Sequence, residues 1–366
     1  MHKKIKVGII FGGRSAEHEV SLQSAKNIIE AIDKDTYDLV CVGISKNREW
    51  LLYDSKELFL NSDDPKRIAL NASKGHPAVL IPHGERKITR LDVYLQDEHI
   101  DVVFPVLHGT FGEDGTIQGL LKLADIPFVG AGVLGSAVGM DKDVMKRLLR
   151  DAGIPIAKFL AIKESNAPQY EEVQEKLGTP FFVKPANLGS SVGVHKVTNK
   201  DEFIKATQDA WKYDRKILCE EYIKGREIEC SVLGNDNPIA SIPGEITLHS
   251  EFYSYEAKYI DAQGATCEIP ATLPDKIVKK IQQLAIQTFT VLSCEGLGRV
   301  DFFLKENGDV LVNEINTMPG FTAVSMYPKL WEASGISYPE LISRLITLAF
   351  ERFEKEKKLE TSYDGE

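Results

Sequence analysis

Short apolar runs alternate with amphipathic helical patterns in roughly the first third of the chain. Residues 5–11 form an apolar run that ends at Gly12-Gly13, and residues 101–107 form a second run that ends at His108-Gly109. Each run predicts a buried strand, and apolar residues at helical spacing follow both runs, at positions 22, 25, 28, 29 and 32 and at positions 117, 120, 121 and 124. This alternation indicates a parallel sheet with helices on its faces. Because ligands bind beyond the carboxyl ends of such strands, both glycine-containing loops are predicted to border a ligand site.

The rest of the chain predicts two further units of mixed strands and helices. Met145, Leu148, Leu149 and Ala152 predict a helix, with Gly153 and Pro155 as its stop signal. Strands are predicted at residues 181–185, 192–197, 216–222, 228–233 and 299–304, and the strand over 216–222 leads into the third unit. Helices are predicted over residues 274–292 and at the C-terminus, where residues 337–340 match a capping box with a proline in the first turn.

We therefore predict an N-terminal domain over residues 1–140, a central subdomain over 141–215 and a C-terminal subdomain over 216–366. A chain of 366 residues is long enough for this division. Apolar residues make up 43% and charged residues 27%, which is typical of a globular protein. The formal net charge of −10 and the lack of a dense basic cluster argue against nucleic-acid binding.

The cysteines and the N-terminus favour a reducing compartment. The five cysteines are scattered, and no pair has the CxxC spacing of a zinc or redox site. The apolar segment at the N-terminus stops at Gly12-Gly13, which is too short for a signal peptide. No apolar run approaches the roughly 20 residues of a membrane span. We expect a cytoplasmic protein.

A hairpin near the C-terminus carries the most informative polar residues. Asn307-Gly308, between two β-rich runs, predicts a two-residue type I′ turn, which places Asp301 directly opposite Glu314. Arg299 and Asn316 then lie on the same face, two residues away along each strand. The opposite face is predicted to enter a core, since it carries Val300, Phe302, Val312 and Ile315.

Two carboxylates in direct cross-strand opposition repel each other unless a cation or a proton lies between them. Asp301, Glu314 and Asn316 offer two carboxylates and an amide, a set of oxygen ligands that suits Mg²⁺ when phosphate oxygens complete the shell. The alternative from spacing alone is a solvated hairpin face on which the acids pair with Arg or Lys.

Two other segments are compatible with a nucleotide. The turn after Lys184 is rich in glycine and serine and could fold over a phosphate, although it lacks the GK[ST] of a Walker A loop and could be a plain glycine hairpin. The segment over residues 220–227 could offer backbone groups to a base and Glu227 to a ribose. An amphipathic edge strand would have the same pattern.

Taken together, the order of these residues resembles the ATP-grasp enzymes, and nearly the whole chain resembles the D-alanine–D-alanine ligase family within them. The segments that carry the resemblance are residues 12–22, HGTFGEDG at 108–115, 140–142, GSSVG at 189–193, YEAKY at 255–259, 298–301 and 313–320. The resemblance implies an α/β fold, with a parallel, Rossmann-like N-terminal domain and two α+β subdomains that clasp ATP. The departures from the family pattern, such as Met318 and Val324, fall at variable positions.

The family resemblance also implies a role for each site residue. Two Mg²⁺ or Mn²⁺ ions would be held by Asp301, Glu314 and Asn316. ATP would be bound by Lys142, Lys184, Ser191, Glu220, Glu221, Ile223, Glu227 and Asn313. Catalytic roles would fall to Glu17, Ser190, Lys258, Tyr259, Arg299 and the backbone N–H of Gly320, with Glu17, Ser190 and Tyr259 forming a hydrogen-bonded network. The substrates would contact Glu17, His108, Arg299, Gly320, Ser325 and Met326.

The implied reaction ligates two D-alanines, through a D-alanyl phosphate, to a peptidoglycan precursor. Residues 189–193 and 253–259 would close as lids, because an exposed acyl phosphate would hydrolyse. A homodimer formed through the first domain is also implied.

The alternative enzyme functions are those of another ATP-grasp ligase, a biotin-carboxylase-like enzyme, or a variant that uses D-lactate as acceptor. From other classes, we considered a nucleotide-binding regulatory module and a dinucleotide oxidoreductase, although no GxGxxG fingerprint follows the first strand.

Overall fold

The computed structural model describes residues 3–54, 57–82, 85–93, 97–248 and 265–360. The predicted segment over residues 253–259, with Lys258 and Tyr259, lies outside the described residues. The described chain forms three larger sheets, each followed or flanked by helices.

The N-terminal sheet has seven strands in the order β8-β7-β6-β3-β2-β1-β9. Strand β1, next to the edge strand β9, runs parallel to β2 and β9, while the successive pairs from β2 outward to β8 are antiparallel. The strands are β1 (Ile5–Gly12), β2 (Tyr37–Ile44), β3 (Trp50–Tyr53), β6 (Gly75–Leu80), β7 (Lys87–Arg90), β8 (Asp97–His99) and β9 (Val102–Val106), with β4 (Phe59–Leu60) and β5 (Ala69–Leu70) forming a separate pair. The helices are α1 (His18–Ala31), α2 (Thr116–Leu123) and α3 (Val133–Met140). The predicted strands at residues 5–11 and 101–107 and the helices after them are confirmed.

The central sheet is antiparallel, with the strand order β10-β13-β11-β12. Its strands are β10 (Phe159–Lys163), β11 (Phe181–Pro185), β12 (His195–Val197) and β13 (Lys216–Glu221), and the helices of this region are α4 (Lys142–Asp151), α5 (Tyr170–Leu177) and α6 (Lys200–Ala210). β13 pairs with β10 and β11, so it belongs to this sheet although the predicted boundary lies at 215/216. The boundary itself stays a prediction.

The C-terminal sheet has the order β17-β16-β14-β18-β19, with β15 paired to β14. Its strands are β14 (Arg226–Gly234), β15 (Ile239–Ala240), β16 (Gly244–Leu248), β17 (Ala265–Glu268), β18 (Gly296–Leu304) and β19 (Val310–Asn316), and its helices are α7 (Asp275–Val291), α8 (Met326–Ala333) and α9 (Tyr338–Glu356). Ser337 is the N-cap of α9 with a proline in the first turn, but its side chain makes no capping hydrogen bond, so the predicted capping box is wrong.

Helices α8 and α9 pack against the N-terminal sheet and α1 in one continuous hydrophobic core, which we call the shared core. Phe321 lies in this core between Phe104 of β9 and Tyr327 of α8, with ring centroids 5.5 Å and 5.6 Å away. Arg352 of α9, which is buried, donates hydrogen bonds to the carbonyls of Phe128 and Gly130 in the N-terminal domain. The N-terminal and C-terminal units are therefore joined by packing and by hydrogen bonds.

Helix α4 departs from its predicted apolar stripe. Leu148 is 38% exposed, whereas Lys142 and Lys146 are buried beside Met145 and Leu149. The inner face of α4 is polar because it borders the cleft described next.

Candidate active site

Two adjoining cavities lie where the three units meet. The larger cavity has a volume of about 600 Å³ and the smaller one about 310 Å³. Lys142, Gly189, Ser190 and Glu314 line both of them. A molecule with two chemically different parts could therefore reach from one cavity into the other past these four residues.

The smaller cavity is lined by every residue that the family resemblance assigns to ATP. It lies between β11 and β13 of the central sheet and the β18–β19 hairpin, and Phe182 and Phe303 contribute apolar walls. The assigned residues in its lining are Lys142, Lys184, Ser191, Glu220, Glu221, Ile223, Glu227 and Asn313. Two lysines at one end and aromatic side chains elsewhere give the cavity a polar and an apolar part.

The β18–β19 hairpin places Asp301 opposite Glu314 as predicted, but its turn and its strand pairing differ from the prediction. Lys305 donates its N–H to the Asp309 carbonyl at 2.9 Å, so residues 306–308 form a three-residue loop with Gly308 at φ +84°. The predicted type I′ turn is wrong, because that turn needs a positive φ at both central residues and Asn307 has none.

A β-bulge then restores the expected pair. Phe302 pairs with Val312, but the next pair is Asp301 with Glu314, which leaves Asn313 as the extra residue. Bulges re-aim a side chain, and here Asn313 faces the smaller cavity while Asn316 lines the larger one. The bulge therefore lets one strand present polar groups to both cavities.

Cations neutralise the opposed acids. Arg299 binds Asp301 through Nε at 2.7 Å and through the second guanidinium nitrogen at 2.8 Å, and Nε also lies 2.8 Å from Glu229 of β14. Asn316 Nδ2 donates to Asp301 Oδ2 at 3.0 Å. Lys142 Nζ lies 3.2 Å from Glu314 Oε2 and donates to the Leu188 carbonyl at 2.9 Å.

The structure therefore shows the arrangement in which the hairpin acids pair with Arg and Lys. Its oxygen donors also fit a divalent cation, because Asn316 uses its amide nitrogen on Asp301 and so turns its amide oxygen elsewhere. Within the described residues no group of three or more His, Cys, Asp or Glu side chains could hold a metal, so a cation here would depend on the amide and on substrate oxygens.

A buried three-charge cluster lies behind the smaller cavity. Glu220 accepts from Lys146 Nζ at 2.9 Å and from Lys184 Nζ at 2.5 Å. Lys146 is fully buried, and the pKa of its ammonium is lowered by desolvation despite the nearby Glu220 carboxylate. The two lysines in turn lower the pKa of the Glu220 carboxyl, although burial alone would raise it. One carboxylate between two ammonium groups leaves an excess positive charge next to the cavity.

Glu17 and Ser190 meet at the larger cavity. The Ser190 hydroxyl donates to Glu17 Oε1, which joins the loop after β1 to the loop after β11. Ser190 and Ser191 have φ of +52° and +58°, a left-handed backbone that is costly for residues other than glycine. This contact brings together two members of the predicted network, while its third member, Tyr259, lies outside the described residues.

Glu113 is a carboxyl group in the larger cavity to which the sequence analysis assigned no role. It accepts the Gly109 N–H at 2.8 Å. Burial and the neighbouring Glu17 raise its pKa to about 8. The motif HGTFGEDG contains Glu113, but nothing in the local pattern shows that the fold brings it to Glu17.

His108 does not line either cavity among the described residues. Its Nδ1 lies 2.9 Å from the Met318 carbonyl and so donates to it, which leaves Nε2 to accept from the Ser24 hydroxyl at 3.0 Å. Ser24 Oγ in turn accepts the Phe321 N–H at 3.1 Å. Burial lowers the pKa of His108 to about 4, which fits this neutral tautomer. His108 thus fixes the loop that carries Gly320, and its contact with the substrate stays a prediction.

The other predicted substrate residues line the larger cavity. Arg299, Gly320, Ser325 and Met326 are in its wall. Ser325 Oγ accepts the Thr322 N–H at 2.9 Å, and a Cβ on Gly320 would lie only 2.6 Å from Ser325 Oγ. A side chain at position 320 would therefore force the Ser325 hydroxyl away from its present position.

Three charged residues of the site had no role in the sequence analysis. Lys146, Glu113 and Glu229 are each surrounded by residues that are distant in the sequence. The one available signal was Lys146, which lies beside the apolar stripe of α4 rather than on its polar face.

Two protein-family models match the chain, one in each half. The model described as "D-ala D-ala ligase N-terminus" matches residues 6–131, and the model described as "D-ala D-ala ligase C-terminus" matches residues 148–347. Within the described residues, no helix has both the length and the apolar character needed to cross a membrane.

Individual relatives and solved structures are similar over nearly the full length. A D-alanine–D-alanine ligase of Oceanobacillus iheyensis is 53% identical over 98% of this chain and 99% of its own. D-alanine–D-alanine ligase A of Escherichia coli is 52% identical over 98% of this chain and 100% of its own. The structure of the D-alanine–D-alanine ligase from Coxiella burnetii matches with a TM-score of 0.84 and 39% identity, over 97% of this chain and 98% of that one. The VanG D-Ala:D-Ser ligase from Enterococcus faecalis matches with a TM-score of 0.83 and 35% identity, over 95% and 100%.

Proposed function

The chain belongs to the D-alanine–D-alanine ligase family, and from this premise we propose how its cleft carries out the ligation. The reaction is the ATP-dependent joining of two D-alanines into D-alanyl-D-alanine through a D-alanyl phosphate, a step that supplies a peptidoglycan precursor. ATP and D-alanine are the substrates, and the family uses divalent metal ions.

The smaller cavity is the proposed ATP site. Its apolar walls at Phe182, Ile223 and Phe303 suit a base, and Glu227 is available to a ribose. The excess positive charge of the Lys146–Glu220–Lys184 cluster and Lys142 would neutralise the phosphates where the two cavities join. The left-handed turn at Ser190 and Ser191 would bring backbone N–H groups and hydroxyls over them.

Asp301, Glu314 and Asn316 are the proposed holders of two Mg²⁺ or Mn²⁺ ions. When bound, such ions neutralise charge on the transferred phosphate and orient it. The fit rests on the donor set, two carboxylates and an amide oxygen whose nitrogen is engaged elsewhere. A titration with Mn²⁺ and a non-hydrolysable ATP analogue tests it: we expect two ions per chain, and fewer in the variant Asn316→Leu.

The chain's own groups would position the reacting atoms. Glu17, held by Ser190, would bind the ammonium of the first D-alanine. Arg299 and the Gly320 N–H would stabilise the oxyanion that forms when the second amine attacks the acyl phosphate. The Glu229 and Asp301 carboxylates hold the guanidinium in place before the reaction, so little reorganisation would be needed. Ser325 and Met326 would lie against the second D-alanine.

The observation that carries this function is the shared border of the two cavities at Lys142, Ser190 and Glu314, because phosphoryl transfer must take place where the ATP and substrate sites meet. The test is to incubate the protein with ATP, Mg²⁺ and D-alanine and to measure phosphate and dipeptide. We expect equal amounts of both, and neither with L-alanine as the matched control. Phosphate release without dipeptide would contradict the assignment.

A homodimer through the N-terminal domain is the remaining proposal. Leu123 of α2 and Leu134 of α3 are 74% and 62% exposed on neighbouring helices of that domain. Burial in a partner's surface would remove this apolar area from water. The variant Leu134→Asp should shift the mass measured by light scattering from dimer to monomer, and an unchanged mass would exclude this surface.

A further inference from the structure

We propose that Lys329 binds the carboxylate of the acceptor, the second D-alanine, and so helps to select a zwitterionic amino acid at that subsite. The inference rests on the proposed function, because it takes the larger cavity as the substrate site. Lys329 is a half-buried residue of α8 that lines this cavity.

The position of Lys329 on α8 directs it towards the acceptor residues. Helix α8 begins at Met326 with Ser325 as its N-cap. Lys329 is three residues after Met326 and four after Ser325, and residues at these spacings are neighbours on one helix face. Cys267 of β17 lines the same cavity, and burial raises the pKa of its thiol while the positive charge of Lys329 opposes this rise.

The charges of the cavity leave Lys329 available to an anion. Among the described residues, its cationic side chains are Lys142, Arg299 and Lys329. Lys142 is paired with Glu314, and Arg299 is paired with Asp301 and Glu229. Lys329 makes no hydrogen bond or ion pair with any part of the chain that the structure describes. A half-buried ammonium without a partner is costly and favours an anionic ligand.

The chemistry of the substrates identifies that anion. The carboxylate of the first D-alanine is converted to an acyl phosphate and then to the amide, so it is not available as a lasting ion-pair partner. The carboxylate of the second D-alanine is unchanged throughout and becomes the C-terminus of the dipeptide. The first turn of α8 would add its N–H groups, since the Ser325 side chain does not cap them. The sequence analysis gave Lys329 no role.

The test is a competition between D-alanine and D-alaninamide as acceptors, with D-alanine as the donor for both products. The amide lacks the negative charge but keeps the attacking amine. We expect the native protein to form mostly D-alanyl-D-alanine. In Lys329→Met the preference for D-alanine over D-alaninamide should fall by about 10-fold or more, because an ion-paired hydrogen bond is lost. Lys329→Arg should retain most of it.

Two controls make the outcome interpretable. Lys279→Met, at an exposed position of α7, should leave the preference unchanged. If Lys329→Met does not fold, as judged by its thermal unfolding, Lys329→Gln replaces it in the same assay. An unchanged acceptor preference in a folded variant would overturn the role of Lys329. If the native protein forms neither product, the proposed function itself fails.

Discussion

The central sheet and the C-terminal sheet both line the smaller cavity, but they are anchored in different ways. The central sheet packs with α5 and α6 around a core of its own, which includes Phe181 and Val183. The C-terminal sheet is tied to the N-terminal sheet, because α8 and α9 lie in the shared core and Arg352 binds N-terminal carbonyls. The central sheet is thus packed independently of the N-terminal domain, whereas the C-terminal sheet is packed together with it.

The two units, which differ in how they are packed, also carry residues with different proposed roles. Arg299, Glu314 and Gly320, which must be positioned accurately, belong to the unit that is fixed to the N-terminal domain. Lys184 and Ser191, which are proposed to bind ATP, belong to the unit with its own core. A separately packed unit can move as a body when ATP binds, while the reacting groups stay in register. The two units are joined through α4, whose Met145 and Leu149 pack in the core of the C-terminal sheet, and through the hydrogen bond from Val312 N–H to the Pro155 carbonyl at 2.8 Å.

A cavity created in one core at a time is the strongest test of whether the central unit is packed independently of the other two. Phe321→Ala in the shared core and Phe181→Ala in the central core each remove a fully buried ring and should cost about 3–5 kcal/mol in the free energy of unfolding. Hydrogen exchange should show that Phe321→Ala loosens the N-terminal and C-terminal units together. Phe181→Ala should loosen only the central unit, and equal loss of protection in the N-terminal sheet would contradict the separation.

Removing a charge from the C-terminal sheet, which is joined to the N-terminal domain, should reduce activity without destabilising the fold. In Glu314→Gln the turnover number should fall roughly 100- to 1000-fold, equivalent to about 3–4 kcal/mol of transition-state stabilisation. The stability should change little, since Glu314 faces another carboxylate. Glu306→Gln is a matched control on the same hairpin, because Glu306 is exposed in the loop. Steady-state kinetics checks both variants, and normal turnover in Glu314→Gln would rule out its role at the metal site.

The raised pKa of Glu113 predicts a pH dependence of stability in the fixed unit. The ordinary value is 4.5 and the folded value is about 8, so the native state keeps a proton that the unfolded state releases. The free energy of unfolding should therefore decrease as pH rises from about 4.5 to 8 and should show no further contribution from Glu113 above that. Glu113→Gln should lack this contribution. Urea unfolding at several pH values measures it, and parallel curves for the two proteins would exclude it.

Two glycines provide the smallest test. Gly178 ends α5 in the central unit and Gly335 lies between α8 and α9, at φ of +78° and +92°, and neither has an atom within 4 Å of an added Cβ. Alanine at Gly335 should therefore cost about 1 kcal/mol from backbone strain alone. Alanine at Gly178 should cost about 1–3 kcal/mol, because its ψ of −172° lies in a region almost reserved for glycine. Exchange measurements should place the effect of Gly178→Ala in the central unit and that of Gly335→Ala in both joined units. The same distribution for both variants would argue for a single cooperative unit.

The sequence predicts the strands and helices well because their hydrophobic patterns are local. It also predicts the Asp301–Glu314 pair, but only because a longer turn and a bulge compensate each other. No local pattern reports such compensation. The contacts of Lys146 and Glu113 depend on residues far away in the chain, and Glu113 looks like an ordinary solvent-facing charge in the sequence. The burial of His108 against Met318 and Ser24 could not be predicted either, because both partners are far away in the sequence.

The bulge at Asn313 sets how the length of this hairpin can vary among related chains. Deleting Asn313 would remove the bulge and leave Glu314 opposite Asp301 in a regular ladder, so the pairing would survive while the smaller cavity would lose the Asn313 side chain. Insertions within the loop over residues 306–308 would leave both strands paired as they are, because the loop is exposed and outside the ladder. Changes of length are therefore expected to be tolerated at the tip of the hairpin, whereas loss of the bulge would remove a polar group from the smaller cavity without disturbing the opposed acids.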